Sequence, residues 1–138
     1  MKSDKPFFDT NVLLYLLSED IRKADRSEAL MATGGVISVQ VLNEFSSVAS
    51  RKLKMTYAEI RDTLSIVRAV CQTQAVTIDI HELGLDIAER YGYALYDSMI
   101  VSAALQSGCT ILYSEDMQHG QIIEGQLRIT NPFLDSAN

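Results

Sequence analysis

Four acidic residues, Asp9, Glu44, Asp97 and Asp116, could carry chemistry, and two of them keep unusual company. Asp97 heads the apolar series Ile100, Val101, Ala104 and Leu105, at i+3, i+4, i+7 and i+8, so on a helix it shares the core-facing stripe. Glu44 lies between Val41 at i−3 and Val48 at i+4, on the edge of its own apolar stripe. A carboxylate there is costly unless it is paired or binds a metal, and no Lys or Arg lies within a turn of either acid. At an effective dielectric near 20, two carboxylates about 4 Å apart repel by roughly 4 kcal/mol, a penalty that a divalent ion removes. An all-oxygen set of this kind suits Mg²⁺ or Mn²⁺ better than zinc. A metal so held can lower the pKa of a bound water and so supply a nucleophile. No Ser–His or Cys–His arrangement is evident that would supply a nucleophilic side chain instead.

Taken singly, each acid has a plainer reading. Asp9 and Asp97 could cap the helices that follow them, since Asp is a favoured N-cap. Glu44 does not fit the capping-box spacing, because Val41 stands three residues before it. Asp116 alone could be a surface acid in a loop beside Glu115. Only their joint placement argues for a site.

That placement depends on the elements between them. Residues 6–8 read as a strand and 11–17 as a short helix, apolar nearly all round. Residues 25–32 read as a second helix, stopped by Gly34 and Gly35. A β-branched strand follows at 36–39, then a helix at 40–53. Ile60, Leu64, Val67 and Cys71 fall at i, i+4, i+7 and i+11 and predict an amphipathic helix over 57–72. A strand is expected at 75–80, helices at 81–91 and 98–106, and strands at 110–113 and 127–130. Strand–helix alternation predicts a parallel sheet with helices on both faces. Right-handed crossovers then set every strand-to-helix loop along one edge of the sheet. All four acids fall at strand carboxyl ends or in first turns of helices, so this edge can gather them.

The chain has 138 residues, a length that suits one domain over 1–138. Hydrophobic residues are 47% and charged residues 22%, which excludes extended disorder. Cys71, in the helical pattern, and Cys109 belong to no ligand spacing and read as reduced packing residues. The apolar run 12–17 is too short for a signal-peptide core or a membrane span, so a cytoplasmic protein is expected. The formal charge of −6 argues against gripping nucleic acid by overall positive charge, but not against a nuclease whose carboxylates are covered by metal.

Together these pieces resemble a known family, the PIN domains, and within it the VapC-type toxins of bacterial toxin–antitoxin pairs. The matching segments are Phe8-Asp9-Thr10-Asn11-Val12-Leu13, then Ser38 with Glu44 six residues on, Tyr96-Asp97-Ser98-Met99-Ile100, Leu112-Tyr113-Ser114-Glu115-Asp116, and Ile129-Thr130-Asn131-Pro132-Phe133. They run over nearly the whole chain. The resemblance implies a three-layer α/β/α sandwich around a five-stranded parallel sheet and a Mg²⁺- or Mn²⁺-dependent endoribonuclease. Asp9 and Asp97 match the family's most dependable ligands, Glu44 its second acidic position and Asp116 its fourth, with Glu115 a neighbouring candidate for that place. Thr10, Asn11, Ser38 and Ser114 match polar positions that support the ligands or the substrate. The resemblance further implies an RNA substrate, a homodimer, and silencing by a cognate antitoxin bound near the site.

Other features have plainer uses. His119 reads as a loop residue and His81 as the start of a helix. Arg51, Lys52 and Lys54 complement the dipole at the end of their helix, with an RNA-phosphate clamp as the second reading. Tyr15, Leu16 and Leu17 supply core together with a groove for an antitoxin helix or a second subunit. Among rival functions, a haloacid-dehalogenase-like phosphatase wants a second Asp two residues after Asp9, where Asn11 stands. A receiver domain wants an acidic pair after its first strand and a Lys after a late one, and neither is present. A non-catalytic interaction module of the same fold, or an RNA-processing nuclease without an antitoxin, remain the alternatives to a toxin.

Overall fold

The computed structural model describes residues 4–134, so the extreme ends of the expected 1–138 domain lie outside the described residues. The elements run β1 (Phe7–Phe8), α1 (Thr10–Leu14) with a 3-10 turn (Tyr15–Leu17), α2 (Ile21–Ala32), β2 (Gly35–Ser38), α3 (Val39–Arg51), α4 (Tyr57–Val70), β3 (Cys71–Gln74), α5 (Ile78–Tyr91), α6 (Leu95–Gln106), β4 (Ile111–Tyr113), β5 (Ile122–Ile123) and β6 (Leu127–Thr130). The six strands form one sheet in the order β3-β2-β1-β4-β6-β5. Five are parallel, and β5 pairs antiparallel with β6 at one edge.

The chain leaves β1 for β2 and β3 on one side, then crosses back to β4 on the other. Handedness therefore places the helices of the two halves on opposite faces. α1, α2, α3 and α4 touch one another in one layer, whereas α5 packs on α6, which lies against β2 and β4. Strand order reverses at β1, and the crevice outside its carboxyl end is where open α/β sheets bind ligands. The β1 side chains Phe7 and Phe8 are fully buried, as are Ile37, Leu112 and Ile129 on neighbouring strands. No described helix is long and apolar enough to cross a membrane.

Several sequence expectations need correction. Among the described residues the sheet has six strands, not five. The extra one, β5, is only two residues long and turns back through Glu124 and Gly125, both at positive φ, as a type I′ turn requires. The strand expected at 75–80 is instead β3 at Cys71–Gln74. Cys71 leaves the helical pattern to pair with Gly35, and α4 stops at Val70. The β-branched residues Val76, Thr77, Ile78 and Ile80 misled, because the Thr77 hydroxyl accepts from the Ile80 N–H and opens α5 there. The apolar segment 11–17 is α1 followed by a 3-10 turn. α2 begins at Ile21, not residue 25, because Asp20 accepts from the Arg22 and Lys23 amides. α6 begins at Leu95, so Asp97 sits inside its first turn. Gly34, at φ +83°, ends α2 as expected, but Gly35 serves a different need: a Cβ there would come within 2.2 Å of the Phe8 ring.

Candidate active site

Sheet register builds the centre of the site. Phe8 stands opposite Tyr113 in the parallel β1–β4 pair, so the next residues, Asp9 and Ser114, emerge side by side above the sheet edge. The Asp9 amide donates to the Tyr113 carbonyl at 3.0 Å, and the Ser114 amide donates to Thr130 on the other flank. Asp9 is the N-cap of α1 and only 4% exposed. Its Oδ1 accepts from the Thr10 amide at 2.7 Å, and its Oδ2 accepts from the Ser114 hydroxyl at 2.7 Å. The same Ser114 oxygen accepts from the Asp116 amide at 3.2 Å, which fixes the turn that carries Asp116.

The other acids arrive from three more segments. Glu44, half-buried on α3, accepts at Oε1 from the Thr10 hydroxyl (2.6 Å) and at Oε2 from Gln40 (2.9 Å). Asp116, exposed, accepts at Oδ2 from the Asn11 side-chain amide at 3.0 Å. Asp97 is half-buried in the first turn of α6, whose N-cap is Ala94, so it is not the capping residue. Asp9 thus does cap its helix, while Asp97 does not.

The four charges sense one another. Burial, first, pushes the Asp9 carboxyl up to about 7; the Ser114 and Thr10 hydrogen bonds oppose this, and the charges of Asp97 and Glu44 add to it. Asp97 is also pushed up, by burial first, then by the charge of Asp116 and that of Glu44. Among the described residues no group of three or more Asp, Glu, His or Cys side chains is placed to hold a metal ion as the side chains stand. Asp9, Glu44 and Asp116 are each turned onto hydrogen-bond donors of the protein, which stabilise crowded negative charge. The chemistry of the donor set, all carboxylate oxygens with two acids destabilised as anions, suits a hard divalent cation.

The supporting residues divide by what they touch. Thr10 joins Glu44 to the start of α1, and Asn11 bridges Asp116 and the Glu115 amide, which donates to Asn11 Oδ1 at 3.3 Å. Ser38, 1% exposed, ends β2 and accepts from the Val41 amide, setting the start of the helix that carries Glu44. Glu115 points away from the cluster: its carboxylate accepts from the Tyr15 hydroxyl and pairs with Lys23 at 3.0 Å. His119 accepts at Nδ1 from the Asn131 amide and so pins its loop to the end of β6.

Two residues, Gln40 and Ser47, escaped the sequence reading, whereas Arg51 had been read at the end of its helix. Gln40 donates both to Glu44 and to the Tyr96 carbonyl (3.0 Å), tying α3 to the first turn of α6 beside Asp97. Its i−4 spacing from Glu44 was the available signal. Ser47 and Arg51 line, with Thr10, Asn11, Glu44 and Asp116, a cleft of about 300 Å³. Their spacing of i+3 and i+7 from Glu44 places them on the same helix face.

Comparison with known proteins agrees with this architecture. Residues 7–122 match the PIN domain. No curated protein sequence matches the chain. Among solved structures, the chain is similar to a toxin–antitoxin complex from Klebsiella pneumoniae (TM-score 0.70, 22% identity, covering 93% of this chain and 98% of that one). It is also similar to Mycobacterium tuberculosis VapC20, described as a sarcin–ricin-loop-cleaving toxin (0.66, 19%, 80% and 89%). A third is VapBC2 from Rickettsia felis, bound to DNA from its promoter (0.65, 19%, 91% and 97%). At these identities the likeness is one of fold. With the domain match spanning most of its length, and a sheet whose switch point carries the acids, the chain belongs to the PIN-domain family.

Proposed function

We propose that this protein is a Mg²⁺- or Mn²⁺-dependent endoribonuclease that hydrolyses RNA phosphodiesters, and that it is the toxin of a type II toxin–antitoxin pair. What supports the reading is that acids from four separate segments lie near enough to act on one another, Asp97 and Glu44 on Asp9 and Asp116 and Glu44 on Asp97, beside the strand end where the sheet order reverses. Solved relatives in fold include a toxin that cleaves the sarcin–ricin loop and complexes of toxin with antitoxin, which supports RNA as substrate and an antitoxin as partner. A homodimer working in the cytoplasm completes the proposal.

The four carboxylates would hold the cation. When bound, it lowers the pKa of a water and neutralises charge developing on the phosphoryl oxygens. The chain's own residues supply order. Ser114 holds Asp9 and the Asp116 turn in one frame; Thr10 and Gln40 fix both oxygens of Glu44; Asn11 steadies Asp116. Water attacks phosphorus in line, the 3′-oxygen departs, and a 5′-phosphate remains.

The test pairs a Mg²⁺ titration with cleavage of a labelled RNA by wild type and Asp97→Asn. Activity should need the divalent ion and fall at least a hundredfold in the variant. Equal cleavage by both proteins would reject the reading in favour of a non-catalytic module.

A further inference from the structure

Arg51 is the last residue of α3 and shares the cleft wall with Glu44, Asn11 and Asp116. Seven residues past Glu44, it projects from the same face roughly 10 Å further along the helix axis. Its Nε donates to the Ser47 hydroxyl at 3.0 Å, one turn back and also on the cleft wall. That bond sets the guanidinium on the cleft side of the helix. A cation serving only the helix dipole would turn to the terminal carbonyls instead. Among the described residues no carboxylate lies within ion-pair distance of Arg51, although Glu44 and Asp116 line the same cleft. Its side chain is exposed, and its terminal nitrogens donate to no described residue.

A planar guanidinium presents two parallel donors that match a phosphate. In a chain of net charge −6, a polyanion approaching four carboxylates needs a cation at the entrance. We propose that Arg51, oriented by Ser47, seats a backbone phosphate of RNA next to the one being cleaved. The distance along α3 from Glu44 separates this contact from the scissile phosphate, so it serves binding and register, independent of base sequence. The inference rests on the nuclease reading.

The test uses a short fluorescein-labelled oligouridine, with binding read by anisotropy in Ca²⁺ across a salt series and cleavage read in Mg²⁺. Arg51→Gln should weaken binding about tenfold and reduce the salt slope by about one. KM should rise while kcat stays within about threefold, and Arg51→Lys should recover part of the affinity by keeping the charge without the fork. If wild type binds and cleaves but Arg51→Gln keeps its affinity and salt slope, the Arg51 assignment falls and the nuclease reading stands. A loss in kcat at unchanged KM would equally overturn it. If wild type neither binds nor cleaves, both fall together.

Discussion

Asp9 combines two demands that conflict. As the first residue beyond β1 it is almost wholly buried, and as an acid it faces Asp97 and Glu44. Its carboxyl therefore titrates near 7 in the folded chain against 3.8 when exposed. Between those values the folded protein keeps a proton that the unfolded chain has released, so unfolding free energy must fall as pH rises. The stabilisation is complete below about pH 4 and lost through pH 7, amounting to as much as about 4 kcal/mol. Metal-free thermal melts should accordingly show a steeper decline over this range in wild type than in Asp9→Asn; parallel declines would reject the shift. Ser114→Ala removes the hydrogen bond that opposes the shift, so NMR titration of Asp9 in the metal-free variant should give a higher midpoint than in wild type. An unchanged or lower midpoint would show that Ser114 does not stabilise the carboxylate. At this scale the acids were legible because a charge on an apolar stripe breaks a pattern. Gln40 and Ser47 were not, because polar residues on a partly exposed helix break none.

Elements deliver these residues, and their boundaries are set by side chains that no periodicity announces. Gly35 is the case in β2. The Phe8 ring occupies the place of its Cβ, and Phe8 directly precedes Asp9. Gly35→Ala should destabilise the fold by about 1–3 kcal/mol through overpacking, read by urea denaturation. It should also lower activity, because the displaced ring carries the chain into the site. Thr56→Ala is the matching control. It removes a reciprocal cap with Glu59 at the start of α4 and should cost about 1 kcal/mol while leaving cleavage per folded molecule unchanged. The Gly34–Gly35 pair was legible as a helix stop, yet the need for Gly35 lies in a ring 27 positions away. β3 was misplaced for a related reason: its partner β2 draws Cys71–Gln74 into the sheet, whereas the more β-like residues after it feed a capped helix. Pairing overrode propensity.

The whole molecule shows what alternation of strands and helices can and cannot reveal. The parallel sheet and the gathering of loops at one edge followed from the order of elements. The antiparallel β5 did not, since two residues carry no periodicity. Because the acids destabilise one another as anions, a cation bound only by the folded chain should raise its stability by RT ln(1 + [L]/Kd), about 2.7 kcal/mol at a hundred times Kd. Mg²⁺ or Mn²⁺ should therefore raise the melting temperature of wild type clearly and that of Asp97→Asn much less. No increase in wild type would argue against a shared cation. The strand order carries one more consequence. Asp9 reaches its partner hydroxyl on Ser114 across 105 positions of chain. During synthesis, the amino-terminal two-thirds can fold its first helices without completing the centre. The acid and the hydroxyl that holds it therefore come together only once β4 has docked beside β1, so the centre is a product of long-range pairing and cannot preform in the first helices.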